Sequence, residues 1–202
     1  MPRPVFALLV PVLACLLTGD TRSQDKKDDK KDDKKDPLQS FEPKSKPGAG
    51  QKFLEKFVGE WDVVKTFHPR KGEPVKVTGE CRQSMIHDGR FLQSEFTFKA
   101  DTGKTTGLGL IGFEPETGLF TSVWTDSRQT RMSARQSEEK FNGEEIVLFS
   151  KELGGKEGRR SKTVTRLEED GKKIVHRQYA VEAGAPDRLV MELVLTKKAP
   201  AK

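Results

Sequence analysis

Cysteine is scarce in this chain, which holds two cysteines, Cys15 and Cys81, among 202 residues. Cys15 lies in an N-terminal segment that we expect to be cleaved off, so no disulfide can form within the remaining chain. Small exported domains often depend on disulfides, and this one must therefore depend on its hydrophobic core. Cys81 lies in a strand-like stretch, and we predict a buried, unreactive thiol because a reactive one needs a cationic, partly exposed setting.

Residue patterns that hold metals are also absent from the sequence. The three histidines, His68, His87 and His176, are never spaced as in H-x-H or four residues apart, and no cysteine pair accompanies them. Zinc sites usually show such tight local spacing. His68 and His87 fall in turns, whereas His176 lies in a strand and could line a pocket. The sequence therefore predicts no metal site and indicates no cofactor.

Motifs of enzymes and of nucleic-acid-binding proteins are missing too. The chain has no Gly-x-Ser-x-Gly nucleophile motif and no glycine-rich phosphate-binding loop that opens a helix. Its net charge of +6 comes from lysines and arginines interleaved with glutamates, and aromatic residues make up 7%. Nucleic-acid-binding surfaces usually cluster their basic residues. We therefore expect no nucleic-acid partner, and an enzyme is the least supported class.

The only long apolar run lies at the N-terminus, where Arg3 precedes an apolar stretch over residues 5–17. This stretch is shorter than the about 20 residues of a bilayer span and is typical of a signal peptide. We predict a signal peptide over residues 1–23, and hence export to the periplasm or beyond. The alternative is a lipoprotein, because residues 12–15 (VLAC) loosely resemble a lipidation motif. Lipidation of Cys15 would be the one link to a membrane.

Residues 24–51 have the composition of a linker. Residues 25–36 alternate Lys-Lys and Asp-Asp pairs without any apolar residue, and residues 37–51 are rich in proline and glycine. Such a segment has no apolar surface to offset the entropy lost on ordering. We predict a disordered tether, followed by one folded domain over residues 52–198.

The domain sequence alternates like a series of strands. One short amphipathic helix is predicted over residues 52–58. Strands are then predicted over residues 61–67, 75–86, 90–99, 105–113, 119–125, 128–136, 145–152, 161–167, 173–181 and 188–196. Short turns exclude parallel pairing, and closure removes exposed sheet edges. We predict an all-β, antiparallel up-and-down barrel of about ten strands, with a β-sandwich as the alternative.

The alternation also predicts which side chains share a face. Trp124 and Asp126 share a face with Phe120 and Ser122. Leu189, Met191, Leu193 and Leu195 form the clearest apolar stripe, which we expect to face the core. Arg177 shares a face with Val175, Tyr179 and Val181, an unusual setting because a buried charge is costly unless it is paired.

Several segments resemble known families. Gly59-Glu60-Trp61, after a short helix and at the start of the first strand, resembles the Gly-x-Trp opening of lipocalins and related calycin barrels. A more extensive resemblance is to the uncharacterised bacterial family domain of unknown function 1579. It is carried by residues 54–61 (LEKFVGEW), 86–92 (IHDGRFL), 107–115 (GLGLIGFEP) and 119–127 (LFTSVWTDS). The resemblance implies a lipocalin-like barrel in which Trp61 closes one end, and it implies no activity.

These observations favour a monomeric binding module that holds a small apolar or amphipathic ligand in the barrel. The candidate ligand-binding residues are Trp124, Asp126, Arg90, Arg177 and Trp61. The alternative is a cell-envelope interaction protein whose barrel is filled by its own side chains. A binder should contain a cavity with a few convergent polar groups, whereas an interaction protein should expose an apolar patch.

Overall fold

The computed structural model describes residues 41–100, 103–151 and 160–199. The predicted signal peptide, the predicted lipidation site at Cys15 and the predicted linker up to residue 40 lie outside the described residues. Pro43–Lys202 forms one compact unit. In the described part of the chain, no helix is long and apolar enough to cross a bilayer.

A short helix, α1 (Ala49–Glu55), precedes the strands. It begins three residues before the predicted helix, inside the segment assigned to the linker. Its position is fixed by Gln51, whose side-chain oxygen accepts a hydrogen bond from the Gly48 backbone at 2.7 Å and whose Nε2 donates to the Phe113 carbonyl at 2.7 Å. Gly50 lies against the ring of Phe113, where a Cβ would come within 2.2 Å of that ring. The contacts of Gln51 and Gly50 with Phe113 therefore explain why the helix begins earlier than predicted.

The described residues contain ten strands. They are β1 (Gly59–Phe67), β2 (Val75–Ile86), β3 (Phe91–Ala100), β4 (Gly103–Glu114), β5 (Leu119–Asp126), β6 (Ser133–Gln136), β7 (Glu145–Lys151), β8 (Ser161–Glu168), β9 (Lys173–Ala180) and β10 (Arg188–Lys197). Each strand pairs antiparallel with its neighbours in sequence, and β1 pairs with β10 to close the sheet. The prediction of an all-β up-and-down barrel with a short N-terminal helix is confirmed, and the sandwich alternative is excluded.

The largest difference from the predicted strands is at β6. The sequence predicts a strand from residue 128, but β6 begins at Ser133. The reason is the carboxylate of Asp126, which accepts a hydrogen bond from the backbone N–H of Arg128 at 2.9 Å. An aspartate that bonds the backbone two residues later holds the chain in a turn, and the strand therefore resumes only after this turn.

One end of the barrel is closed by packed aromatic rings. Phe53 and Phe57 from the α1 region are buried, and the rings of Phe113, Phe120 and Phe141 contact one another in tilted or edge-on geometry. Such offset aromatic pairs are favourable beyond the area that they bury.

Trp61 lies at the same closed end and is fully buried. Its indole Nε1 donates to the Phe57 carbonyl at 3.0 Å, and the ammonium of Lys197 lies 5.3 Å from its ring centroid. The Lys197 side chain therefore covers one face of the indole. Trp61, which lies on β1, therefore connects this strand to the segment that follows α1.

The strand faces agree with the sequence over most of β10 and differ on β9. Met191, Leu193 and Leu195 line the cavity, as the apolar stripe predicts. The prediction is wrong for Leu189, because a bulge between Leu189 and Met191 shifts the register and Val190 lines the cavity instead. On β9 the face that carries Arg177 lies outside, and the inward side chains are Ile174, His176 and Gln178. The more apolar face of β9 is therefore not its inward face, because the polar side chains of His176 and Gln178 point into the barrel.

Cys81 is buried on β2, as predicted from the sequence. Burial raises the pKa of its thiol far above the ordinary range, with a smaller contribution from the nearby Glu95 carboxylate. The thiolate, which is the nucleophilic form, is therefore suppressed.

Candidate functional site

A cavity of about 470 Å³ lies inside the barrel. Such a volume is typical of sites that hold small molecules, which measure roughly 300–1,000 Å³. The cavity begins beside Leu54 and Phe57 at the closed end and reaches Asp126 and Arg128 at the other end. Its apolar lining includes Phe96, Phe98, Leu148, Ile174, Leu193 and Leu195.

Trp124 and Asp126 point into this cavity from β5, as their shared face predicts. The indole Nε1 of Trp124 donates to Oδ2 of Asp126 at 3.2 Å. Arg128 completes the group: its Nε donates to Oδ1 at 3.2 Å and its Nη2 donates to Oδ2 at 2.9 Å. These hydrogen bonds, led by those from Arg128, hold the pKa of Asp126 far below its ordinary value. The carboxylate is therefore ionised and neutralised by Arg128.

The position of Trp124 depends on a glycine in the adjacent strand. A Cβ at Gly107 would lie 2.4 Å from the Trp124 ring, closer than atoms can pack. Glycine within a strand often marks a bend or a close approach, and Gly107 makes room for an aromatic ring from the adjacent strand. Trp124 also contacts Phe96 edge-on, with ring centroids 5.5 Å apart, so the indole forms part of the cavity wall.

Lys65 brings a buried positive charge into the cavity from β1. Its side chain follows Trp61 and Val63 on the inward face and is 8% exposed. The ammonium lies 4.7 Å from the Phe67 ring centroid and 4.8 Å from that of Phe98. Burial, with a further contribution from Arg128, lowers the pKa of Lys65 from 10.5 to about 8. Lys65 therefore stays charged near neutral pH at a considerable desolvation cost.

Arg135 brings a second cation from β6. It lines the cavity, and its buried Nε has no hydrogen-bond partner among the described residues. Burial lowers the pKa of its guanidinium, which nevertheless remains protonated because arginine starts far above neutral pH.

His176 faces the same cavity from β9. Its Nδ1 lies 2.8 Å from the hydroxyl oxygen of Thr165. Burial, followed by the charges of Arg135 and Lys65, lowers the pKa of His176 to about 4. The imidazole is thus neutral at physiological pH and can act as a hydrogen-bonding group but not as a cation.

The register places Lys65 and His176 in one row around the barrel. Lys65 pairs with Leu193, Leu193 pairs with His176, and His176 pairs with Thr165. Because directly paired residues on adjacent strands point to the same face, all four side chains face the interior at the same level.

Gln83 adds a polar group nearer the closed end. It is 7% exposed, donates from Nε2 to the Ser94 hydroxyl at 3.0 Å, and leaves Oε1 without a partner among the described residues. A buried acceptor without a partner is costly. It is therefore available to a donor on a bound molecule.

Of the five predicted site residues, Trp124 and Asp126 line the cavity, and the other three do not. Trp61 packs at the closed end. Arg90 lies at the turn before β3, where its guanidinium donates to the carbonyls of His87 and Ser45 at 3.1 and 3.4 Å. Arg177 lies on the outer face, where its Nε donates to Glu192 at 2.7 Å.

Lys65, Arg128 and Arg135 belong to the site and were not singled out from the sequence. A signal existed for Lys65, because it alternates with Trp61, Val63 and Phe67 on an otherwise apolar strand face. Arg135 gave no such signal, since the other inward position of its four-residue strand is a serine, Ser133. In the chain segments described here, no three His, Cys, Asp or Glu side chains form a group that could hold a metal ion.

The fold and the cavity define the class of protein, which is a lipocalin-like closed barrel with a partly polar, hollow interior. A family model described as "Protein of unknown function (DUF1579)" matches residues 46–197, and the chain belongs to this family. The matched range contains α1 and all ten strands described above. No curated protein matches the chain.

Two solved structures share the fold. The first is the crystal structure of Rv2717c from M. tuberculosis, with 16% identity, a TM-score of 0.55 and coverage of 77% of this chain and 100% of that chain. The second is the S-type phycobiliprotein lyase CPES from Guillardia theta, with 9% identity, a TM-score of 0.51 and coverage of 75% and 94%. At these identities the likeness concerns the fold alone.

Proposed function

We propose that this protein is an exported binding protein that holds a small, partly apolar ligand inside the barrel. The observation that carries the proposal is the interior cavity of about 470 Å³, which has apolar walls and a few convergent polar groups. Barrels of this size hold one small ligand in the interior. Export rests on the signal-peptide pattern of residues 1–23, and Cys15 offers a lipid anchor as the alternative.

The hollow interior favours this function over the interaction protein with a filled barrel. A filled barrel packs its inward side chains against one another, whereas here Lys65 and Arg135 face open space together with apolar residues. One structural neighbour is named a phycobiliprotein lyase, and the shared fold is compatible with a small ligand. The name of this neighbour does not identify a ligand for this chain.

Filling the cavity should weaken binding. Ser122 lines the cavity on β5, while its neighbour Thr121 is exposed on the outer face. We expect Ser122→Phe to weaken binding of the neutral fluorescent probe N-phenyl-1-naphthylamine by about tenfold or more, because the new ring occupies the space that the probe needs. The measurement is a fluorescence titration of each variant, after circular dichroism has shown cooperative unfolding.

Thr121→Phe is the matched control, since it adds the same ring to the same strand on the opposite face. It should bind the probe as the unmodified protein does. Equal binding by both variants would place the probe outside the barrel and contradict the proposal.

A further inference from the structure

The cavity carries more positive charge than its own residues balance. Among its lining residues, Lys65, Arg128 and Arg135 are cationic, His176 is neutral, and Asp126 is the one carboxylate in the described part of the lining. Asp126 is already engaged by Arg128 through two side-chain hydrogen bonds. Asp126 also acts on Lys65 electrostatically, but more weakly than Arg128 does, so the described part of the lining carries more positive than negative charge.

Neither Lys65 nor Arg135 belongs to any of the ion pairs found among the described residues. Lys65 is more than nine-tenths buried, and the buried Nε donor of Arg135 has no partner within the described segments. Burying an unpaired charge is costly, so proteins rarely keep one without a compensating partner. A partner of negative charge fits both observations.

The two cations also line the same cavity as His176. Both lie close enough to His176 to act on its imidazole electrostatically, and Lys65 shares a row of the barrel with His176 and Thr165. Neutral His176, hydrogen-bonded to Thr165, adds a polar group to this cluster without competing for a negative charge.

We propose that the barrel binds a small amphipathic anion, whose carboxylate, sulfonate or phosphate group lies between Lys65 and Arg135 and whose apolar body fills the rest of the cavity. The inference rests on the proposed function and adds the charge class of the ligand. Charge-assisted hydrogen bonds from an ammonium and a guanidinium are the strong ones in a buried site. The rings of Phe96 and Phe98 and the side chain of Leu193 supply the apolar wall beside the anionic group.

Two fluorescent probes of matched shape test this charge preference. The sulfonate 8-anilinonaphthalene-1-sulfonate and the neutral N-phenyl-1-naphthylamine share their rings and differ in the anionic group. We expect the full chain to bind the sulfonate at least about tenfold more tightly than the neutral probe. In Lys65→Met and in Arg135→Met the preference should fall toward unity, while the neutral probe continues to bind.

Lys76→Met is the control, because Lys76 is exposed on the adjacent strand β2. It should retain the full preference for the sulfonate. In a separate competition experiment with the unmodified protein, displacement of the sulfonate by decanoate but not by decylamine would extend the preference to a carboxylate. Equal affinity of the unmodified protein for the two probes, or an unchanged preference in Lys65→Met, would overturn the anion site and leave the proposed function standing. Absence of binding of either probe would contradict the proposed function itself.

Discussion

Lys65→Met is expected to raise the free energy of unfolding of the ligand-free protein at pH 7 by about 3 kcal/mol. The reason is the pKa of Lys65, which burial lowers from 10.5 to about 8. At pH 7 the lysine is charged in both the folded and the unfolded state, and the folded state bears the cost of the buried charge. Methionine has a similar length and no charge, so this cost disappears.

The stabilisation should depend on pH in a defined direction. The folded pKa of Lys65 is below the unfolded one, so between about pH 8 and pH 10.5 the unfolded state binds more protons. Stability of the unmodified protein therefore rises through this window, as the linkage relation requires. The advantage of Lys65→Met should be complete below pH 8 and should vanish toward pH 10.5.

Urea unfolding at pH 7 and pH 10 measures the difference in free energy of unfolding between Lys65→Met and the unmodified protein. The other titrating groups contribute equally to both proteins, so their contributions cancel. Lys76→Met, an exposed replacement on β2, should change stability little at either pH. A Lys65→Met variant that is less stable than the unmodified protein at pH 7 would show that the charge of Lys65 is compensated in the folded state. A gain in stability with a loss of anion binding would be a trade-off between stability and function, as is common at binding sites.

Phe120→Ala is expected to lower the free energy of unfolding by about 3–5 kcal/mol. Phe120 is 1% exposed, and its ring contacts Phe113 and Phe141 with centroids 4.9 and 5.1 Å away. Removal of the ring leaves a cavity between β4, β5 and the segment before β7, and it also removes two aromatic contacts. Urea unfolding at pH 7 measures the loss.

Phe91→Ala is the matched control for this replacement. Phe91 lies on β3 and is 42% exposed, so the same deletion removes less buried area, and we expect a loss of about 1 kcal/mol or less. Similar losses for both variants would mean that the aromatic cluster at the closed end does not hold the barrel together.

The architecture was predictable because two regular signals agree along the domain. Inward and outward residues alternate on the strands, and turn residues separate strands at short intervals, so antiparallel neighbours follow directly. The inward positions of Met191, Leu193 and Leu195 and the shared face of Trp124 and Asp126 were assigned correctly for this reason, whereas a bulge in β10 takes Leu189 off the predicted face. The start of β6 was not predictable from alternation, because a side-chain hydrogen bond from the Arg128 backbone to Asp126 decides it.

The site was predictable only in part. The interior of a hollow barrel carries polar as well as apolar side chains, so apolar residues alone do not identify the inward face. On β9 the more apolar face is outside, and His176 and Gln178 face the cavity. Arg177 was therefore assigned to the wrong side of its strand from its apolar neighbours. Arg90 was predicted as a site residue because it is a charged residue at a turn. The cations that face the cavity, Lys65 and Arg135, lie within strands instead.

Native mass spectrometry shows whether the barrel holds a small ligand, as we claim. The protein is purified from the cells that produce it naturally, and its mass is compared before and after denaturation. We expect a discrete extra mass that is lost on denaturation and that carries an anionic group. A bare mass, both as purified and after incubation with lipid and metabolite extracts of the same cells, would contradict the claim.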